Sequence, residues 1–138
     1  MAGKSLLSFS GTRPQNLGVT QGKLAPCPSS PNCVCSDATD AEHNIAPIAC
    51  KSPETAIATL KSIIQALERT AIIQVSADYL YAEFTSALMG YVDDVEFYIS
   101  AGTNVVQVRS ASRLGKSDLG VNRKRIEAIR TQFAQLAG

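Results

Sequence analysis

No run of apolar residues in this sequence approaches the roughly 20 that a helix needs to cross hydrocarbon, so no helical membrane span is expected. The first residues, Met1-Ala2-Gly3-Lys4-Ser5-Leu6-Leu7-Ser8-Phe9, hold one lysine and no long apolar segment, and do not read as a signal peptide. Ala2 in second place also removes a lipidation motif. As written the chain is expected to be cytoplasmic, with plastid or lumenal placement left open for a trimmed chain. A dominant charge is missing as well: the formal net charge is +1, too little for a global pull toward nucleic acid or membrane. No repeat at a period of roughly 20–50 residues is visible.

Several chemical motifs are absent. Zinc usually takes paired C-x-x-C elements, whereas Cys27, Cys33, Cys35 and Cys50 are spaced by five residues, one residue and a long gap that holds His43, the only histidine. No metal and no cofactor are expected. A catalytic thiolate needs an activating base, and no spacing holds His43 near Cys33 or Cys35. Gly115-Lys116-Ser117 looks like the end of a P-loop, but Ser110 stands where that loop needs its first glycine, and too little chain follows for a nucleotide-binding sheet. Stacking aromatics are missing from 109–130, so nucleic acid is not an expected partner.

What is present suffices for one folded unit. A chain of 138 residues with 45% hydrophobic and 18% charged residues can bury a core without staples. Residues 1–44 are rich in Gly, Pro, Ser and Asn without a sustained period. The expected division is an irregular arm over 1–24, wrapping the surface and mobile at its start, and a single α+β domain over 25–138. Three prolines between Ala25 and Cys33 predict a stiff, turn-rich loop. A Cys27–Cys33 disulfide would brace it in an oxidising compartment, and free thiols are expected in a reducing one.

Ile45 to Cys50 is expected to be a short edge strand, because Pro47 cannot donate on both sides. Ser52-Pro53-Glu54 then opens a helix: a capping residue, a proline suited to the first helical position, and an acid that complements the dipole. Ile57, Leu60, Ile64 and Leu67 follow at helical spacing. Strands are predicted over 71–76, 79–86, 92–100 and 105–112. Leu80, Ala82 and Phe84 share one face, as do Val95, Phe97 and Ile99, and Val106 and Val108 face inward; short links favour an antiparallel meander. A last helix is expected from Ser117 or Asp118, with Ile126, Ile129, Phe133 and Leu136 as its apolar stripe. The fold class is therefore α+β: an antiparallel sheet of about four to five strands with two helices packed on one face, preceded by a long irregular arm.

Charge is concentrated late. Residues 109–130 hold seven cations against two acids, while the rest holds six against ten. The segment from Arg109 to Arg123 runs from a strand end through a glycine-bearing loop into a helix N-terminus, where backbone N–H groups and the dipole favour an anion. Arg109 and Arg113 share a side of the strand, and arginine suits bidentate recognition of carboxylate or phosphate. The ligand-binding candidates are Arg109, Ser110, Ser112, Arg113, Lys116, Ser117, Asn122, Arg123 and Asp93. The same residues also have structural readings. Glu83, Asp94 and Glu96 lie on the face that Arg109 shares. Glu127 forms a helical ladder with Arg123 and Arg130. Asp118 is open to an arginine clamp. Asp93 is placed either in a turn or inward against an arginine such as Arg113. Asp93 and Asp94 point to opposite faces and cannot act together on one atom.

Three segments in order carry a resemblance: Cys27-Pro28-Ser29-Ser30-Pro31-Asn32-Cys33-Val34; Asp93-Asp94-Val95-Glu96-Phe97; and Arg109-Ser110-Ala111-Ser112-Arg113 through Gly115, Ser117-Asp118, Gly120 and Asn122-Arg123. Together they resemble the domain of unknown function 1499 family. The leader Gly11-Thr12-Arg13-Pro14-Gln15-Asn16-Leu17-Gly18-Val19 resembles its cyanobacterial and plastid-type members. The likeness runs from about Arg13 to the last helix. Cys35 departs from the family pattern, which has serine there. Many relatives carry a membrane or export segment before this domain; no such segment is expected here, which argues against a cell-envelope or lumenal placement. The resemblance implies no activity. The expected function is a small, non-enzymatic binding or accessory module, docking a larger, photosynthetic-type assembly through the proline loop or the C-terminal helix. The alternative is an enzyme or sensor that binds a small anion or phosphate at the 109–123 corner.

Overall fold

The computed structural model describes residues 10–115 and 117–136. Its elements are β1 (Cys33–Cys35), β2 (Ile48–Ala49), α1 (Pro53–Gln65), β3 (Thr70–Val75), β4 (Tyr79–Thr85), β5 (Val92–Tyr98), β6 (Val105–Ser112) and α2 (Val121–Leu136). The fold is α+β. Strands β3 to β6 form an antiparallel meander, and β1 and β2 lie end to end along the free edge of β6, completing a six-stranded sheet. Strand β1 adds to the expected four to five. The proline run stops at Pro31, so Cys33, Val34 and Cys35 can pair with Ala111, Ser110 and Arg109. The strand expected over 45–50 is only two residues long, because Arg130 draws the carbonyls of Ala46 and Pro47 away at 2.7 Å each.

Alternation along the strands sorts the side chains. Leu80, Val95, Phe97, Val106 and Val108 face the helices and meet Leu60 and Ile64 of α1 and Ile126, Ile129 and Phe133 of α2. Fully burying each such side chain contributes about 1.5–3 kcal/mol. The opposite face carries Tyr79, Tyr81, Glu83, Asp94, Glu96 and Arg109, and there the arm lies across the sheet. Leu24 packs on Tyr79 and Tyr81. The Gly18 N–H donates to Glu96 Oε2 at 2.7 Å, from a backbone with φ of 95° that favours glycine. The start of the arm, residues 1–9, lies outside the described residues.

Both helix starts differ in detail from expectation. Ser52 stands at the N-cap of α1 but its side chain makes no capping bond, leaving Pro53 and Glu54 to favour the start. Helix α2 begins at Val121, three residues after Asp118. Leu119 and Gly120 have φ of 54° and 81°, which no helix can carry, and the Asp118 carboxylate reaches over them to accept from Gly120 N at 2.8 Å and Asn122 N at 3.0 Å. Cys27 and Cys33 are joined by a disulfide with Cα atoms 5.7 Å apart. A loop this short is stabilised by about 2 kcal/mol on the chain-entropy model.

Candidate functional site

The sheet divides the 109–123 segment between its two faces. Arg109 and Arg113 lie under the arm. Arg113 donates from Nε to Asp94 Oδ2 at 2.9 Å and from Nη2 to Asp94 Oδ1 at 2.8 Å and Glu83 Oε2 at 2.6 Å. Its pKa rises, chiefly through the bond to Asp94. Arg13 of the arm donates to the same Glu83 oxygen, and Tyr81 donates its hydroxyl proton to Asp94 at 2.5 Å. Burial pushes Glu83 upward, but bonds from Arg13 and Arg113 outweigh it and hold the carboxyl below its ordinary value. Arg109 stands 3.9 Å from Glu96 Oε1 and donates to the Pro26 carbonyl at 3.3 Å. Burial raises the Glu96 pKa despite bonds from Tyr79 and Gly18. Glu96 Oε1 and Arg109 Nε are buried without a hydrogen-bond partner among the described residues.

On the helix face, Asp93, Ser110, Ser112 and Asn122 come together with a residue that sequence reasoning missed, Arg125. Arg125 donates from Nη2 to Asp93 Oδ2 at 2.8 Å and from Nη1 to Asn122 Oδ1 at 2.7 Å and Ser110 Oγ at 3.1 Å. Its guanidinium lies over the Phe84 ring, 4.9 Å from the centroid. Asn122, fully buried, donates to Ser112 Oγ at 2.9 Å, Asp118 Oδ2 at 2.7 Å and the Asn32 carbonyl at 3.2 Å. Asp93 therefore meets Arg125 and not Arg113, which the pleat puts on the other side of the sheet. Asp118 is held by Asn122 and backbone N–H groups, with no arginine; these outweigh burial and lower its pKa. A signal for Arg125 was legible: it follows Asn122 by three residues and precedes Ile129 by four, at the margin of the buried stripe.

The remaining candidates lie elsewhere. Arg123 donates to the Asn44 and Glu42 carbonyls at 2.8 and 3.1 Å, clamping the loop before β2. Ser117 lines the cleft described below, and Lys116 lies outside the described residues. Cys33 is consumed by the disulfide. Burial raises the pKa of both Cys35 and Cys50, so neither thiol is an activated nucleophile. Asp40, Glu42 and His43 bring ligand-type atoms within 4.8 Å of one another. His43, however, has Nδ1 2.6 Å from Asp40 and Nε2 2.8 Å from the Ser30 carbonyl, so both ring nitrogens already face protein oxygens.

Beside the Asp93–Arg125 pair, a cleft of about 680 Å³ opens at the end of the sheet. Phe84, Tyr91, Val92, Leu114, Leu119 and Val121 wall it. Asp93, Ser112 and Arg125 supply polar groups, and Glu68 and Arg69, 3.2 Å apart, also line it. Leu114, Gly115 and residues 117–119 build one wall: Gly115 turns the chain there with φ of 82°, and Asn32 fixes it by donating to the Gly115 carbonyl at 2.8 Å. Leu119 is held in the left-handed region and stays 87% exposed, an unusual placement for a leucine.

No curated protein matches the chain. Residues 23–133, most of its length, match the model of the family described as protein of unknown function (DUF1499), and the chain belongs to that family.

Proposed function

We propose that this protein is a non-enzymatic binding module that holds a small amphipathic molecule in the cleft beside Asp93 and Arg125. The observation that carries the reading is where apolar surface is left uncovered. Of nine large hydrophobic side chains exposed among the described residues, four, Tyr91, Leu114, Leu119 and Val121, line this one cleft. Scattered exposed hydrophobics are ordinary, whereas a cluster around a concavity is the usual form of a ligand site. The volume falls within the roughly 300–1,000 Å³ range of small-molecule sites, and a few polar groups beside apolar walls match their usual composition. A non-enzymatic role is supported by the hydroxyl chemistry: Ser110 and Ser112 are bonded to Asn122, which cannot serve as a base.

Titration with the neutral apolar dye Nile red tests the reading. Wild-type protein is expected to bind one dye per chain with a blue-shifted emission. Leu119→Asp and Leu114→Asp should each weaken binding by about tenfold, about 1.4 kcal/mol, with an unchanged circular dichroism spectrum. Asp is tolerated in the left-handed region, so the first variant keeps the loop geometry. Equal dye binding by wild type and both variants would remove the cleft from consideration.

A further inference from the structure

Every described cation lining the cleft is already matched by a carboxylate. Arg125 faces Asp93 at 2.8 Å, and Arg69 faces Glu68 at 3.2 Å. A third carboxylate, Asp118, also lines the cleft and, among the described residues, is met by uncharged N–H donors and by no cation. The described lining therefore holds more negative than positive charge. Among the described residues, an anionic head group placed there meets two matched pairs and one additional acid, and like charges brought together at a binding site oppose binding.

The hydrogen-bonding capacity left over points the same way. Asp93 accepts from Arg125 through Oδ2, and Oδ1 has no partner among the described residues. Arg125 spends both protons of Nη1 on Ser110 and Asn122 but only one of Nη2, on Asp93. Ser112 Oγ accepts from Asn122, and its own proton has no acceptor among the described residues. An acceptor and two donors thus stand side by side next to the apolar walls. A group that both gives and takes a hydrogen bond completes them, and a site built to bond such a group discriminates strongly against analogues that lack it.

Resting on the cleft reading above, we infer that its ligand carries an uncharged head group with donor and acceptor together, an alcohol or a primary amide, on an apolar chain or ring. The Asp93–Arg125 pair acts as the selecting element. It supplies the acceptor for the ligand's proton, and by neutralising Arg125 it removes the attraction that an unpaired arginine would exert on phosphate or carboxylate.

Displacement of Nile red by four probes of equal chain length tests this at pH 8: 1-decanol, decanamide, decanoate and decyl phosphate. The two neutral probes are expected to displace dye at concentrations about tenfold or more below the two anions. Asp93→Asn turns the free acceptor into a donor and leaves Arg125 without its counter-charge, so the order should invert. The wild-type order is informative whether or not that variant folds. Equal or tighter binding of decanoate or decyl phosphate to wild type overturns the head-group inference and leaves the cleft as a binding site. Bound dye that none of the four probes displaces overturns it too. Absence of dye binding removes the cleft reading on which it rests.

Discussion

Two neighbouring residues of one strand, Phe97 and Glu96, are both fully buried, one under each face of the sheet. Phe97 lies opposite Leu80 and Val108 beneath the helices, in a layer held by apolar contact. Glu96 lies opposite Tyr81 and Arg109 beneath the arm, in a layer of carboxylates, arginines and tyrosine hydroxyls. The apolar layer is a sum of many small, replaceable contacts. In the charged layer Asp94, Glu96 and Arg109 have lost their water, and the layer relies on particular partners, so its stability depends on completeness. The first layer should therefore respond to lost volume, and the second to which partner is lost.

The largest expected effect is on the apolar side. Phe97→Ala should lower the unfolding free energy by about 3–5 kcal/mol in urea titration, since it removes a ring and leaves a cavity. No second substitution away from that cavity should restore it. On the charged side, Arg113→Met should cost about 3 kcal/mol, because Asp94 would be left buried without its cation. Adding Asp94→Leu to Arg113→Met should recover much of that loss, as replacing a whole buried pair by apolar residues is often neutral. A double variant no more stable than the single one would show that the layer does not work by charge completeness.

The contrast between the faces was half legible in the sequence. Alternation placed Leu80, Ala82 and Phe84 on one side and put Glu83, Asp94, Glu96 and Arg109 on the other, and the structure keeps both sets. That the polar side is covered was not readable, since a strand face of acids and arginines has the same pattern whether solvated or ion-paired. Strand β1 was hidden because three residues next to a proline run have no period to detect. Of the two placements expected for Asp93, the structure has the inward one against an arginine, but that arginine is Arg125 and not Arg113, as parity already required: Arg113 shares a side with Arg109, and Asp93 lies opposite Ser112 on the other face. Of the cleft, the sequence pattern indicated Asp93, Ser112 and Ser117 but not its walls. Those walls come from β4, β5, two loops and α2, and only folding brings them together.

The smallest effect tests the charged layer by pH. Burial raises the Glu96 pKa above its ordinary 4.5, against the opposing bonds from Tyr79 and Gly18 and the Arg109 charge. The folded protein then holds a proton that the unfolded chain has released. Stability from this group is full below about pH 4.5 and declines as pH rises through the folded value. Glu83 has the opposite sign: its pKa is lowered, so its contribution is present above pH 4.5 and fades as pH falls. Glu96→Gln keeps a neutral side chain of the same shape and removes only the first slope. The urea midpoint of the variant should decline less than that of wild type as pH rises above 4.5, while the loss toward acid stays. Parallel profiles for the two proteins would mean that Glu96 keeps an ordinary affinity for its proton beneath the arm, and that Arg109 offsets its burial at 3.9 Å.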